Sequence, residues 1–304
     1  MVSIPAGTNI SNVSLCVRDL DAVADSYRDA LGFIELTSRA GEKRLSANGR
    51  EPEQIILVED RHAAPRQSSA PGLFHVAFLF PSRRALAAAL RRLMEKEIRI
   101  HGFADHGVSE AIYLVDPEGN GIELYHDRPR ETWMNHKGEI SMVTEPLDVA
   151  GLLRESGSGH SSSQEIDPGT VLGHIHLQVS NLKKAERFYH ALLGFDVTQR
   201  SYPGALFVSA GGYHHHLGLN IWNSRNGVRV PGTAGLISFG IQIPDRKALE
   251  AITAQLDQNG SPVHRTADGH FLVHDSDGIA VQLAVSHPDA HASFQSPCSQ
   301  EVAL

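Results

Sequence analysis

The chain has 304 residues, of which 41% are apolar and 20% charged, a composition that fits about two globular domains and excludes a disordered or fibrous chain. With 27 Lys and Arg against 35 Asp and Glu the formal net charge is −8, so there is no basic field to hold nucleic acid or anionic lipid. No run reaches the ~18 apolar residues of a spanning helix and the first residues lack the pattern of a signal peptide, so a cytoplasmic protein with neither nucleic-acid nor membrane partners is expected.

In chain order, a strand-like run, an amphipathic helix and three short strand runs recur four times, over Ile10–Asp60, Gly72–Asp127, Val171–Asn223 and Gly235–Val285. The repeat is visible in the residues themselves. Leu20, Tyr27 and Leu31-Gly32-Phe33 return as Leu182, Tyr189 and Leu193-Gly194-Phe195, and Asp116-Pro117-Glu118-Gly119 returns as Asp275-Ser276-Asp277-Gly278. The predicted class is therefore α+β, four βαβββ modules in two tandem halves. The halves span 1–150 and 170–286, with a polar linker over 151–169 and a tail over 287–304. Each half reaches domain size and is expected to bury its own apolar face. Asp19 and Asn181 stand where caps belong, and Gly32 and Gly194 where helices should end.

Cys16 and Cys298 offer no disulfide framework, whereas the 18 His draw attention to imidazole chemistry. His75 interrupts an apolar strand, and Glu123 interrupts the strand after the Asp116–Gly121 turn. Either alone reads as readily as a hydrogen-bonded core residue or a solvent-facing one. Together, on one face of one module, they are costly to bury unless something binds them, and a metal is the economical answer. In Gly173-His174-Ile175-His176-Leu177-Gln178-Val179 the histidines share the polar face of the opening strand. The run His214-His215-His216 precedes another apolar strand, and strand alternation would set His215 on one face and its two neighbours on the other. His106 and Tyr113 read equally as pocket residues or as ordinary loop and core residues.

These motifs resemble the vicinal oxygen chelate superfamily of glyoxalases, bleomycin-resistance proteins and type I extradiol dioxygenases. Within it, Asp116–Tyr125, Gly173–Leu177 and Gly211–Asn220 are most similar to extradiol enzymes of the catechol 2,3-dioxygenase type. The resemblance implies a metal held by first-strand and last-strand residues of facing modules. First-strand positions fall at Asn12, His75, His174 and Ser238, and last-strand positions near Glu53, at Glu123, near His215 or His216, and at Gln282. It implies His75, Glu123 and His174 as ligands of Fe(II), with Mn(II) as the alternative. It further implies His215 as the acid and base, with His216 its competitor, Tyr113 as a partner of the substrate oxygen, and His106 and His216 as substrate contacts. The expected reactants are a small aromatic diol and dioxygen, and a homo-oligomer is left open. A redox-neutral enzyme of the glyoxalase or isomerase type and a non-catalytic aromatic-ligand binder are the alternatives.

Overall fold

The computed structural model describes residues 2–156, 165–267 and 269–286. Module one is β1 (Asn9–Val17), α1 (Leu20–Asp25), β2 (Ile34–Arg39), β3 (Glu42–Ser46) and β4 (Ile55–Glu59). Module two is β5 (Gly72–Leu79), α2 (Arg83–Glu95), β6 (Gly102–Asp105), β7 (Ser109–Val115) and β8 (Gly121–Asp127). A hairpin of β9 (Asn135–His136) and β10 (Glu139–Ile140) and the helix α3 (Val149–Glu155) follow. Module three is β11 (Val171–Gln178), α4 (Leu182–Glu186), β12 (Asp196–Gln199), β13 (Ala205–Ser209) and β14 (Leu217–Asn220). Module four is β15 (Gly235–Ile243), α5 (Arg246–Gln258), β16 (His264–Arg265), β17 (Phe271–His274) and β18 (Ala280–Val285). The four predicted βαβββ modules are all present.

Local chemistry explains the boundaries. The Asp19 side chain accepts from the Ala22 N–H and that of Asn181 from the Lys184 N–H, capping α1 and α4. Both helices then widen into a π-helical turn, over Ser26–Leu31 and Arg187–Leu192, so even this irregularity repeats. The predicted linker begins as the helix α3 instead of a loop, because Asp148 caps it at the Gly151 N–H and Leu152 is buried where the helix meets α2. Residues 157–164 of that linker, and the tail 287–304, lie outside the described residues.

The strands assemble into two eight-stranded sheets, in the orders β16-β17-β18-β15-β1-β4-β3-β2 and β12-β13-β14-β11-β5-β8-β7-β6. Each sheet therefore takes one module from each half. At the centre of the first, β1 runs antiparallel to β15; at the centre of the second, β5 runs antiparallel to β11. This pairing bears directly on the expectation of self-sufficient halves, since a half alone would leave both β1 and β5 with unpaired backbone edges. Turns bind the modules of one half together: Glu118 accepts from the backbone N–H groups of Arg18 and Asp19, and Asp277 from the N–H and hydroxyl of Ser180. A single apolar cluster runs through both sheets, and the Phe33 ring of module one meets Phe78 of β5 edge-on at 4.8 Å. Among the described residues no helix is long and apolar enough to cross a membrane.

The cross-half pairing makes a direct prediction. Residues 1–156 expressed alone should aggregate or pair with themselves on size-exclusion chromatography, whereas co-expression with 157–304 should give one complex containing both pieces. A folded monomeric half would contradict it.

Candidate metal centre

The site follows from strand register. Side chains alternate along β5, so Val76 and Phe78 enter the apolar cluster while His75 and Ala77 face the other way. Ala77 lies opposite His174 of β11 on one side and opposite Glu123 of β8 on the other, and Glu123 lies opposite Tyr113 of β7. One rung thus reads His174, Ala77, Glu123, Tyr113. The neighbouring rung puts His176 opposite His75. The turn sequence sets this register, because the Asp116 carboxylate accepts from the N–H groups of Glu118 and Asn120 and from the Asn120 amide, starting β8 at Gly121.

The methyl of Ala77, wholly buried, leaves room for His174 and Glu123 to meet above it. His75 Nε2 lies 2.9 Å and His174 Nε2 3.3 Å from Glu123 Oε2, and one donor atom from each of the three residues falls within 4.8 Å of the others. His75 Nε2 is nevertheless a buried nitrogen aligned with no hydrogen-bond partner. An orphan of this kind costs about 1–3 kcal/mol, and a cation among the three donors removes that cost. Two imidazoles and one carboxylate suit a borderline divalent metal and leave further positions open.

Electrostatics favour the ligand forms. Burial pushes the Glu123 carboxyl up, but His174 and His75 beside it prevail and hold it well below the ordinary carboxylate range. Burial takes His174 down to about 4 against the pull of Glu123, so at neutral pH an ionised carboxylate faces an uncharged His174. Burial, reinforced by neighbouring imidazoles, also holds His176 and His215 well below the usual histidine value and takes His216 down to about 3. The Tyr113 phenol is raised well above 10 by burial and by Glu123.

A cavity of about 330 Å³ opens over this cluster, with His75, Glu123, Tyr113, His106, His176 and His215 on its walls among the apolar side chains of Phe74, Phe103, Met142, Phe207 and Trp222. His106 bridges two walls, with Nδ1 2.6 Å from the Val143 carbonyl and Nε2 2.6 Å from the Tyr113 hydroxyl. Because a carbonyl can only accept, a neutral His106 donates from Nδ1 and its Nε2 accepts the Tyr113 O–H. The ring of His215 packs against that of His174 at 4.1 Å between centroids.

His216 is the exception to the expected set. It does not line the cavity, its Nδ1 accepts from the Ala210 N–H, and its ring packs against Tyr213 and Phe195. The last-strand position of module three that corresponds to Glu123 is Gly218, paired with His176 as Glu123 is paired with Ala77. A Cβ there would stand 2.8–2.9 Å from the His176 ring, so a donor-bearing side chain at that position would have to displace His176. In modules one and four, Glu53 is bound by Arg44 and the Gln282 amide donates to Ser238, and among the described residues the first sheet holds no counterpart of the triad. Alternation also fails for His214. Residues 214–216 precede β14, so His214 is free to turn toward His215 at 2.8 Å between Nδ1 atoms and toward Asp127. His176, His214 and Asp127 carry no assigned role in the sequence, although the His174-x-His176 alternation was a signal for the first of them.

The Glyoxalase/Bleomycin resistance protein/Dioxygenase superfamily model matches residues 9–124 and 171–283. The chain belongs to that superfamily. It is 41% identical over 281 residues to a catechol-2,3-dioxygenase of Bacillus subtilis, covering 90% of this chain and 96% of that protein. Among solved structures it resembles a candidate dioxygenase from Bacillus subtilis, with a TM-score of 0.63 at 13% identity, covering 96% of this chain and 88% of the other. It also resembles glyoxalase I from Zea mays, with a TM-score of 0.54 at 16% identity, covering 91% and 92%. At those identities the structural likeness speaks for the superfamily fold alone.

Two outcomes follow from the site. Ala77→Leu should fold but hold less than about a tenth of the wild-type metal by elemental analysis, because its side chain fills the gap between His174 and Glu123. Separately, the unfolded chain binds a proton at each histidine below about pH 6.5. The buried His216 resists one until about 3. Unfolding free energy should then be fully present above pH 6.5 and decline between 6.5 and 3, by up to about 1.4 kcal/mol per pH unit for such a residue. Urea titrations at pH 7 and pH 5 of wild type and His216→Gln check this, and the variant should lose less on acidification.

Proposed function

We propose that this chain is an extradiol dioxygenase that opens the ring of a catechol beside its diol, with dioxygen, at Fe(II) held by His75, Glu123 and His174. The observation that carries the reading is a buried imidazole–carboxylate–imidazole cluster at the floor of an apolar cavity, in a chain 41% identical to a catechol-2,3-dioxygenase over nearly its whole length. A ferrous ion bound by these three donors supplies open positions for both reactants and a route for electrons between them. The protein's own residues do the rest. The cavity walls exclude water and hold an aromatic ring in one orientation, which strengthens every polar contact inside. His215 is uncharged at neutral pH, the form able to take a proton from a substrate hydroxyl and return it later. Tyr113, protonated and directed by His106, presents its oxygen beside Glu123, where the substrate oxygen would lie.

The lining also selects among diols. Among the described residues it contains no Lys or Arg, so a ring carboxylate would be desolvated without a cationic side chain beside it, whereas alkyl or aryl substituents meet Phe74, Phe103, Phe207 and Trp222. Anaerobic loading with Fe(II), followed by a catechol panel with oxygen-uptake and absorbance readouts, should give a yellow ring-opened product from catechol and alkyl catechols. Carboxylated catechols should show kcat/KM lower by about tenfold or more. Conversion without oxygen uptake would instead favour a redox-neutral reaction. His215→Gln should retain its iron and lose about 10²-fold in turnover, the usual scale for loss of general acid–base catalysis.

A further inference from the structure

Beyond the cavity wall, a chain of hydrogen bonds leads away from His215 with a direction that can be read. Asp127, the last residue of β8, has Oδ1 2.9 Å from His214 Nε2. The Tyr213 hydroxyl donates to the same Oδ1 at 3.2 Å, and the Tyr125 hydroxyl stands 2.9 Å from that of Tyr213. His214 is wholly buried, boxed in by the rings of Tyr125, Trp133 and Tyr213 and by His174. Its Nδ1 lies 2.8 Å from Nδ1 of His215. Gly173 makes room for one wall of this box, since a Cβ at that position would fall 1.9 Å from the Tyr125 hydroxyl.

We infer that Asp127 and His214 are positioning residues that fix the tautomer of His215, leaving the lone pair on His215 Nε2. Donors and acceptors alone set the direction of this chain of hydrogen bonds. A carboxylate only accepts, so His214 must direct an N–H from Nε2 to Asp127. With a single proton on the His214 ring, its Nδ1 is then bare and can only accept. The single proton between the two Nδ1 atoms therefore belongs to His215, whose Nε2 is left unprotonated on the far side of the ring from His214. His215 lines the cavity, so that lone pair is available to a ligand within it. Without the Asp127 carboxylate no anionic acceptor would hold the His214 proton on Nε2, and His215 could as well place its own proton on Nε2, the wrong form for accepting one from a substrate.

The role of base rests on the proposed dioxygenase reading; the tautomer does not, and the test separates them. Protein labelled with ¹⁵N-histidine, metal-free and loaded with Zn(II), is examined by long-range ¹H–¹⁵N correlation, the His215 signal being the one absent from His215→Gln. The expected result is a proton on Nδ1 of His215 in both forms, moving wholly or partly to Nε2 in Asp127→Asn. In the Fe(II) enzyme Asp127→Asn should lower kcat by about tenfold, with KM and iron content within about twofold of wild type, and Asp127→Glu should recover part of the loss. Should Asp127→Asn fail to fold, His214→Phe, which keeps the buried volume and removes both hydrogen bonds, reports on the same tautomer. A His215 proton on Nε2 in the wild type, or a doubly protonated His214, would overturn the inference, as would an unchanged His215 tautomer in the variants. If the tautomer is as stated but no catechol is turned over, the proposed reaction fails and the positioning pair stands.

Discussion

The antiparallel pairing of β5 with β11 is the constraint on which the rest of the site depends. It joins modules two and three, from different halves of the chain, and its register sets His176 opposite His75 and His174 opposite Ala77. Because side chains alternate with a period of two, a slip of one residue would turn His174 into the apolar cluster and Ile175 into the cavity. This backbone ladder, with a register shift on either side of the His174–His176 rungs, holds an imidazole from one half 3.3 Å from a carboxylate of the other.

The energetics of the floor explain why its neighbours are small. Glu123 and the imidazoles are nearly fully buried, where an unpaired charge is costly, and they offset one another only at close approach. Ala77 and Gly218 occupy the sheet positions where bulk would prevent that approach or displace His176. Burial keeps His174 neutral, whereas the neighbouring imidazoles keep Glu123 ionised against the same burial, so the close approach of the three side chains sets the forms able to bind a cation.

The first sheet supplies an internal comparison. It is built on the same plan, with β1 and β15 in place of β11 and β5, yet carries Asn12, Ser238 and Gln282 where the second sheet carries His174, His75 and Glu123. The Gln282 amide donates to the Ser238 hydroxyl, so these two polar side chains are paired without an ion. The architecture thus holds with or without a metal-binding set. The charged cluster of the second sheet is better explained by chemistry than by folding.

Much of this was written in the sequence, because periodicity, caps and turn residues act locally. The four modules, the capped helices that repeat with them, and the polar faces bearing His75, Glu123 and His174 all follow from residues a few positions apart. The superfamily pattern linked those three residues in advance. Tertiary structure alone decided which strands became neighbours, since pairing within a half and across the halves satisfies the same local pattern. It also decided the fate of the three-histidine run. Residues 214–216 lie outside a strand, so no alternation governs them: His215 reached the cavity, His216 bonded back to Ala210, and His214 found Asp127, 87 positions away. That last partnership, like the glycine at 218 that makes space for His176, depends on contacts between segments distant in the chain, which local pattern does not encode.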